Sequence, residues 1–144
     1  MKIKILNKSN NALPEYKTKG SAGMDIRAFL EEDVVLHPMD IKLIPTGLYA
    51  EIPEGYEIQI RARSGLSLKN GITLANGIGT IDSDYRGEIG LIMINLGSED
   101  FTIKNGDRIA QMVCVKYEKA QIEQVLEISE TERSDGGFGS SGIK

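Results

Sequence analysis

The stretch TIDSDYRGEIG sets two carboxylates, Asp82 and Asp84, two residues apart. An extended chain would point both the same way and Tyr85 the other. Paired carboxylates hold a hydrated cation or position a water, and on a polar turn they are simply solvated acids. In RARSGLS a cation, Arg63, is followed by the hydroxyl of Ser64 and by Gly65 at a turn, so that backbone N–H groups could face a phosphate. NGDRIAQMV adds Asp107, Arg108 and Gln111, where an Asp–Arg surface pair is the plain alternative. The final stretch, ERSDGGFGSSGIK, has too few apolar side chains to hold itself folded, yet it carries Arg133, Phe138, Ser140 and Ser141. A cation, a flat ring and two hydroxyls on a glycine-rich backbone can close over a phosphorylated ring compound; otherwise such a composition gives a frayed terminus.

Strands must position these groups. In GYEIQIRARSG, Tyr56, Ile58, Ile60 and Ala62 share one face and Glu57, Gln59, Arg61 and Arg63 the other, which predicts an amphipathic strand delivering Arg63 to its end. Further strands are expected at Lys2–Leu6, Val34–Leu36, Ile41–Ile44, Leu48–Ile52, Glu88–Leu96, Phe101–Ile103, Arg108–Val115 and Ile122–Leu126. Short strands punctuated by Gly, Pro and Asn-Gly favour a sandwich or barrel over βαβ units. EIGLIMINLG is apolar on both alternating faces and so needs cover on two sides, from its own core and from either more core or another subunit. Only SGLSLKN reads as a helical turn, with Ser64 as its N-cap. The Asn-Gly pairs at Asn70, Asn76 and Asn105 are tight-turn signals, and the first two bracket a hairpin whose returning arm bears the carboxylates.

At 144 residues the chain forms one domain, expected at 1–131, with a Gly/Ser-rich tail at 132–144. A net charge of −4 argues against a nucleic-acid binder with a broad basic surface, although a few arginines can still hold a small polyanion. A single cysteine, Cys114 in the apolar run MVCV, and a single histidine, His37, offer no protein-built zinc site. Nothing near the start reads as a signal peptide or membrane span, so a cytoplasmic protein is expected.

Each motif is weak alone, but five occur together in order: SAGMDIRA, RARSGLSLKNGI, GIGTIDSDYRGEI, NGDRIAQMV and RSDGGFGSSG. Together they resemble the trimeric dUTPases, deoxyuridine triphosphate nucleotidohydrolases. The resemblance runs from Ser21 almost to the last residue. It implies an all-β, jelly-roll-like barrel of the β-clip type with one short helix, three copies forming a homotrimer with active sites at subunit interfaces. It also implies hydrolysis of dUTP to dUMP and pyrophosphate, with Mg²⁺ held by the substrate's phosphates and water and no direct protein ligand. The third motif would come from one subunit, the first, second and fourth from a neighbour, and the tail from the remaining one.

The resemblance makes Asp82 the water-activating carboxylate and places Asp25 near the metal's water shell or at the interface. Arg63, Ser64, Gly65 and Gln111 match phosphate-binding positions. Asn76, with backbone groups of Gly79, Thr80 and Ile81, would read uracil, and Tyr85 would pack under the deoxyribose and exclude a 2′-hydroxyl. Arg133, Phe138, Gly139, Ser140 and Ser141 would close over the bound nucleotide, the ring on uracil and the others at the γ-phosphate. Ala62, Asn70, Ser134 and Ser141 depart from the family's usual residues without removing a charge or hydroxyl the reaction needs. Two other readings remain: a dCTP deaminase on the same fold, and a regulatory protein that binds a repressor.

Overall fold

The computed structural model describes residues 1–137 of the chain; Phe138, Gly139, Ser140 and Ser141 of the expected closing tail lie outside the described residues. Eleven strands and one helix follow in order: β1 Lys4–Asn7, β2 Met24–Arg27, β3 Val34–Leu36, β4 Ile41–Ile44, β5 Leu48–Glu51, β6 Tyr56–Ala62, α1 Ser64–Asn70, β7 Ile72–Leu74, β8 Gly79–Ile81, β9 Leu91–Asn95, β10 Phe101–Ile103 and β11 Arg108–Lys116. The fold is mostly β with one short helix. All pairings are antiparallel and fall into four sheets, ordered β1-β5, β10-β3, β2-β11-β6-β8 and β4-β9-β7.

Side-chain alternation sets the core. In β6, Ile58 and Ile60 point inward beside Met112 and Cys114 of β11, in the register Ile60↔Met112 and Ile58↔Cys114. Ile26, Leu36, Ile44, Ile72, Leu91, Met93, Ile103 and Ile109 complete one buried cluster. Each such side chain, fully buried, stabilises the fold by about 1.5–3 kcal/mol before conformational entropy is counted. The buried polar residues are satisfied. Asn95 donates to the carbonyls of Leu36 (2.9 Å) and Glu99 (2.8 Å) and accepts from the Gly97 amide (2.8 Å). Thr46 donates from its hydroxyl to Ile89 O at 2.6 Å.

The apolar run 88–96 is covered on one side only. Ile89, Leu91 and Met93 are buried, whereas Ile92 and Leu96 are exposed. The register Ile41↔Ile94 and Leu43↔Ile92 sets the outward residues of β4 and β9 side by side, with Leu43 68 % and Ile41 59 % exposed.

Three local expectations differ from the structure. The helix cap is Arg63, at φ −94° and ψ 122° and without a side-chain cap bond, so Ser64 is the first helical residue rather than the N-cap. The arms flanking Asn76-Gly77 do not pair with each other: β7 joins β9 and β8 joins β6, so this turn carries the chain from one sheet to another. Ile122–Leu126 forms no strand, because no strand among the described residues pairs with it, and 117–137 runs without helix or strand. No strand is expected from sequence at β2, and β7 and β8 are expected only as the arms of that hairpin; each of the three is three or four residues long.

Candidate functional site

Two groups of predicted residues assemble, one at each side of the four-stranded sheet. The first gathers at the end of β6, where β2 and β11 run alongside. Arg63 leaves β6 and donates to Asp25 of β2, from Nε to Oδ1 at 2.9 Å and from Nη2 to Oδ2 at 3.4 Å. Arg108, at the start of β11, donates to Asp25 Oδ2 at 3.1 Å, and Arg63 Nη1 donates to the Arg108 carbonyl at 2.8 Å. Gln111 lies opposite Asp25 in the β11–β2 register and donates from Nε2 to Ala62 O at 2.9 Å. Gly23 makes room for that amide: a Cβ there would stand 2.4 Å from Gln111 Oε1. Ser64 and Gly65 are exposed in the first turn of α1, which closes at Gly71 in the left-handed region, φ 70°.

The arrangement keeps two guanidinium groups on a shared carboxylate, with a carboxamide beside them held by the Ala62 carbonyl. That is a surface suited to oligophosphate oxygens. The plain alternative for Arg108 was a surface pair with Asp107. It bonds Asp25 instead, while Asp107 accepts the Lys104 amide at 2.9 Å and closes its turn.

The second group surrounds a cavity of about 320 Å³ lined by Asn76, Gly79, Thr80, Ile81, Asp82 and Tyr85, with Leu43, Ile60, Glu88, Gly90 and Ile92. Strand β8 supplies its floor through the register Ile60↔Gly79, Gln59↔Thr80 and Ile58↔Ile81. Gly79 brings the backbone under the Asn76 amide, since a Cβ there would sit 3.4 Å from Asn76 Nδ2 and 3.2 Å from Ile60 Cβ. Beyond β8 the chain turns, and the Tyr85 amide donates to Asp82 O at 3.2 Å. This turn replaces the extended alternation expected for Asp82 and Asp84. Asp82 and Tyr85 both line the cavity, and Asp84 does not. Asp82 is exposed.

Glu88 was not singled out by sequence. Its one signal is a carboxylate at the head of an apolar run, and it accepts the amides of Thr46 (3.0 Å) and Gly47 (2.7 Å) on Oε1. Arg133 is exposed and donates to Gly136 O at 2.8 Å, a turn within the expected tail. Cys114 is part-buried and burial pushes its thiol up, away from nucleophilic use. Among the described residues no hydrogen bond or ion pair joins the first group to the second, and no three His, Cys, Asp or Glu side chains gather as a metal site. No helix among them is long and apolar enough to cross a membrane.

A family model for dUTPase matches residues 9–142. The chain belongs to the dUTPase family. A dUTPase-family protein of Finegoldia magna, named deoxyuridine 5′-triphosphate nucleotidohydrolase, is 61% identical over 142 residues, covering 99% of each chain. One of the same name from Treponema denticola is 58% identical and covers 94% of each. Among solved structures, the dUTPase of Staphylococcus bacteriophage 80alpha with dUPNHPP superposes with a TM-score of 0.89 at 30% identity, covering 99% of both chains. A mutant dUTPase from phage phi11 of S. aureus, described for its coordination of a structural Mg(II) ion, gives 0.79 at 28% identity over 88% of this chain and 98% of that one.

Proposed function

We propose that the chain hydrolyses dUTP to dUMP and pyrophosphate, with Mg²⁺, as a homotrimer whose three active sites are each shared between subunits. The observation that carries this is the cavity in which Asn76, Gly79, Asp82 and Tyr85 meet, in a chain of the dUTPase family. No nucleic acid and no membrane enters the proposal.

Uracil would meet the Asn76 amide and the β8 backbone at Gly79, Thr80 and Ile81. Cytosine exchanges donors for acceptors at that edge, and a site built on such pairing rejects the mispaired analogue by roughly 10⁴–10⁵. The Tyr85 ring would lie under the deoxyribose and exclude a 2′-hydroxyl. Asp82 would accept the proton of the water that attacks the α-phosphorus. A carboxylate cannot strip bulk water, of pKa about 15.7, but it can take the proton as the P–O bond forms. The bond to the bridging oxygen breaks and pyrophosphate leaves, its charge met by Arg63 with Ser64, Gly65 and Gln111 beside it.

The donor set agrees with a metal held by substrate oxygens and water. Asp25 already accepts from Arg63 and Arg108 with both oxygens, so its place is beyond the first ring of ligands. When bound, Mg²⁺ supplies charge neutralisation on the phosphates.

Sharing between subunits is supported by two features. The outward faces of β4 and β9 present Ile41, Leu43 and Ile92 to solvent, and the 117–137 segment exposes Ile122, Leu126 and Ile128. The two groups of site residues also make no bond to each other within one chain. The closing tail, Arg133 to Ser141, would come from a third copy and exclude water once nucleotide is bound.

The test is a product assay with Mg²⁺ in which dUTP, dTTP, dCTP and UTP are offered separately. Conversion of dUTP alone to dUMP and pyrophosphate is expected. Ammonia release from dCTP would establish the deaminase instead, and inertness toward all four would leave a binding protein.

A further inference from the structure

We propose that Glu88 is a positioning residue that fixes the seat of the Tyr85 ring, and through it the rejection of ribonucleotide. The inference rests on Tyr85 packing against the sugar, as proposed above. The Tyr85 hydroxyl donates to the Glu88 carbonyl at 3.1 Å, so the far end of the ring is tied to the backbone of residue 88. The ring lies across Gly87 with no space beneath it: a Cβ on Gly87 would stand 2.2 Å from the hydroxyl oxygen and 2.4 Å from Cζ.

Backbone at residue 88 is itself held from outside the 82–88 stretch. The Glu88 carboxylate reaches the 46–47 turn and accepts both of its amides on one oxygen, at 3.0 and 2.7 Å. Glu88 also bridges Tyr49 of β5, and the Ile89 amide donates to Leu48 O at 2.8 Å. The Thr46 hydroxyl returns to Ile89 O at 2.6 Å. A side chain bonded to the 46–47 turn thus clamps the same residue whose carbonyl receives the ring's hydroxyl. Discrimination by contact with one absent atom, the 2′-oxygen, depends on ring position to a fraction of an ångström, so the clamp belongs to selectivity as well as to folding.

Steady-state kcat and KM for dUTP and UTP would be measured in wild type, Glu88→Ala, Glu88→Gln and Tyr85→Ala, each with its Tm. Glu88→Ala is expected to lower the dUTP/UTP ratio of kcat/KM about tenfold or more, chiefly by admitting UTP, as two unmet amides release the turn. Glu88→Gln keeps an acceptor oxygen for both amides and is expected to restore the ratio to within about threefold of wild type. Should the alanine variant not fold, Glu88→Asp, too short to hold both amides, is expected to lose part of the ratio. A lowered Tm with the ratio intact in Glu88→Ala, or an intact ratio in Glu88→Asp, overturns the role of Glu88. If Tyr85→Ala retains the ratio, the sugar contact itself fails; if it loses the ratio while Glu88→Ala does not, only the present inference fails.

Discussion

Arg63 grips Asp25 with two of its nitrogens, Nε at 2.9 Å and Nη2 at 3.4 Å, although the two residues are 38 apart in sequence. Arg108 shares the same carboxylate at 3.1 Å. One acid therefore keeps two cations side by side on an edge where they would otherwise repel and splay.

Replacing Asp25 by Ala is expected to destabilise the protein by about 1–3 kcal/mol, lowering Tm by roughly 3–10 °C, and to raise KM for dUTP. The loss should be larger at low ionic strength, where the two guanidiniums repel more strongly. Thermal melts at two salt concentrations check it; equal losses at both would mean that charge pairing is not the cause.

Asp82→Asn keeps the size of the side chain and removes its basicity. Binding of a non-hydrolysable dUTP analogue should stay near wild type while kcat falls by about 10²–10⁴. Calorimetry and single-turnover kinetics separate the two quantities, and near-normal turnover would remove Asp82 from the role of base.

Gly23→Ala places a methyl 2.4 Å from Gln111 Oε1. The carboxamide must swing away and lose its bond to Ala62 O, so kcat/KM is expected to drop about tenfold or more at a stability cost near 1–3 kcal/mol. Gly23→Ala combined with Gln111→Ala should lose little beyond Gln111→Ala alone, and full additivity in that cycle would deny the contact.

Ile41→Glu sets a charge on the outward face of β4, beside Ile94 of β9. Light scattering should show smaller assemblies than wild type, and activity should fall with assembly, as the proposed sharing of each site requires. An active monomer would contradict the shared site.

Ending the chain after Glu132 should leave the β domain assembled while kcat falls by about 10²-fold or more, since the loaded site stays open to water. Scattering and turnover on the same sample test this together; unchanged turnover would leave the tail without a part in closure.

Sequence alternation read β6 well because its residues alternate between core and solvent, and the long apolar run marked β11; both match their expected spans within a residue or two. It gave no span for β2, where only Met24 and Ile26 are apolar, and it joined β7 and β8 as the arms of one hairpin because a turn signal does not say which sheet each arm enters. Asn76, Asp82 and Tyr85 were legible from motif order, and the structure places all three on one cavity. The pairing of Asp25 with Arg63 and Arg108 was not, because ion pairs across separate strands leave no spacing signal. The strand expected at Ile122–Leu126 has the right composition but pairs with no strand among the described residues, and a strand needs a second edge to exist.

That same segment sets the hazards of life before assembly. A newly made chain holds Ile122 and Leu126 almost wholly in water, 91 % and 100 % exposed, along backbone that has not been paired. In the homotrimer proposed above, correct and wrong association would then draw on the same sticky residues, and both would speed up with concentration. Yield on refolding should accordingly pass through an optimum, with slow assembly on one side of it and precipitation on the other.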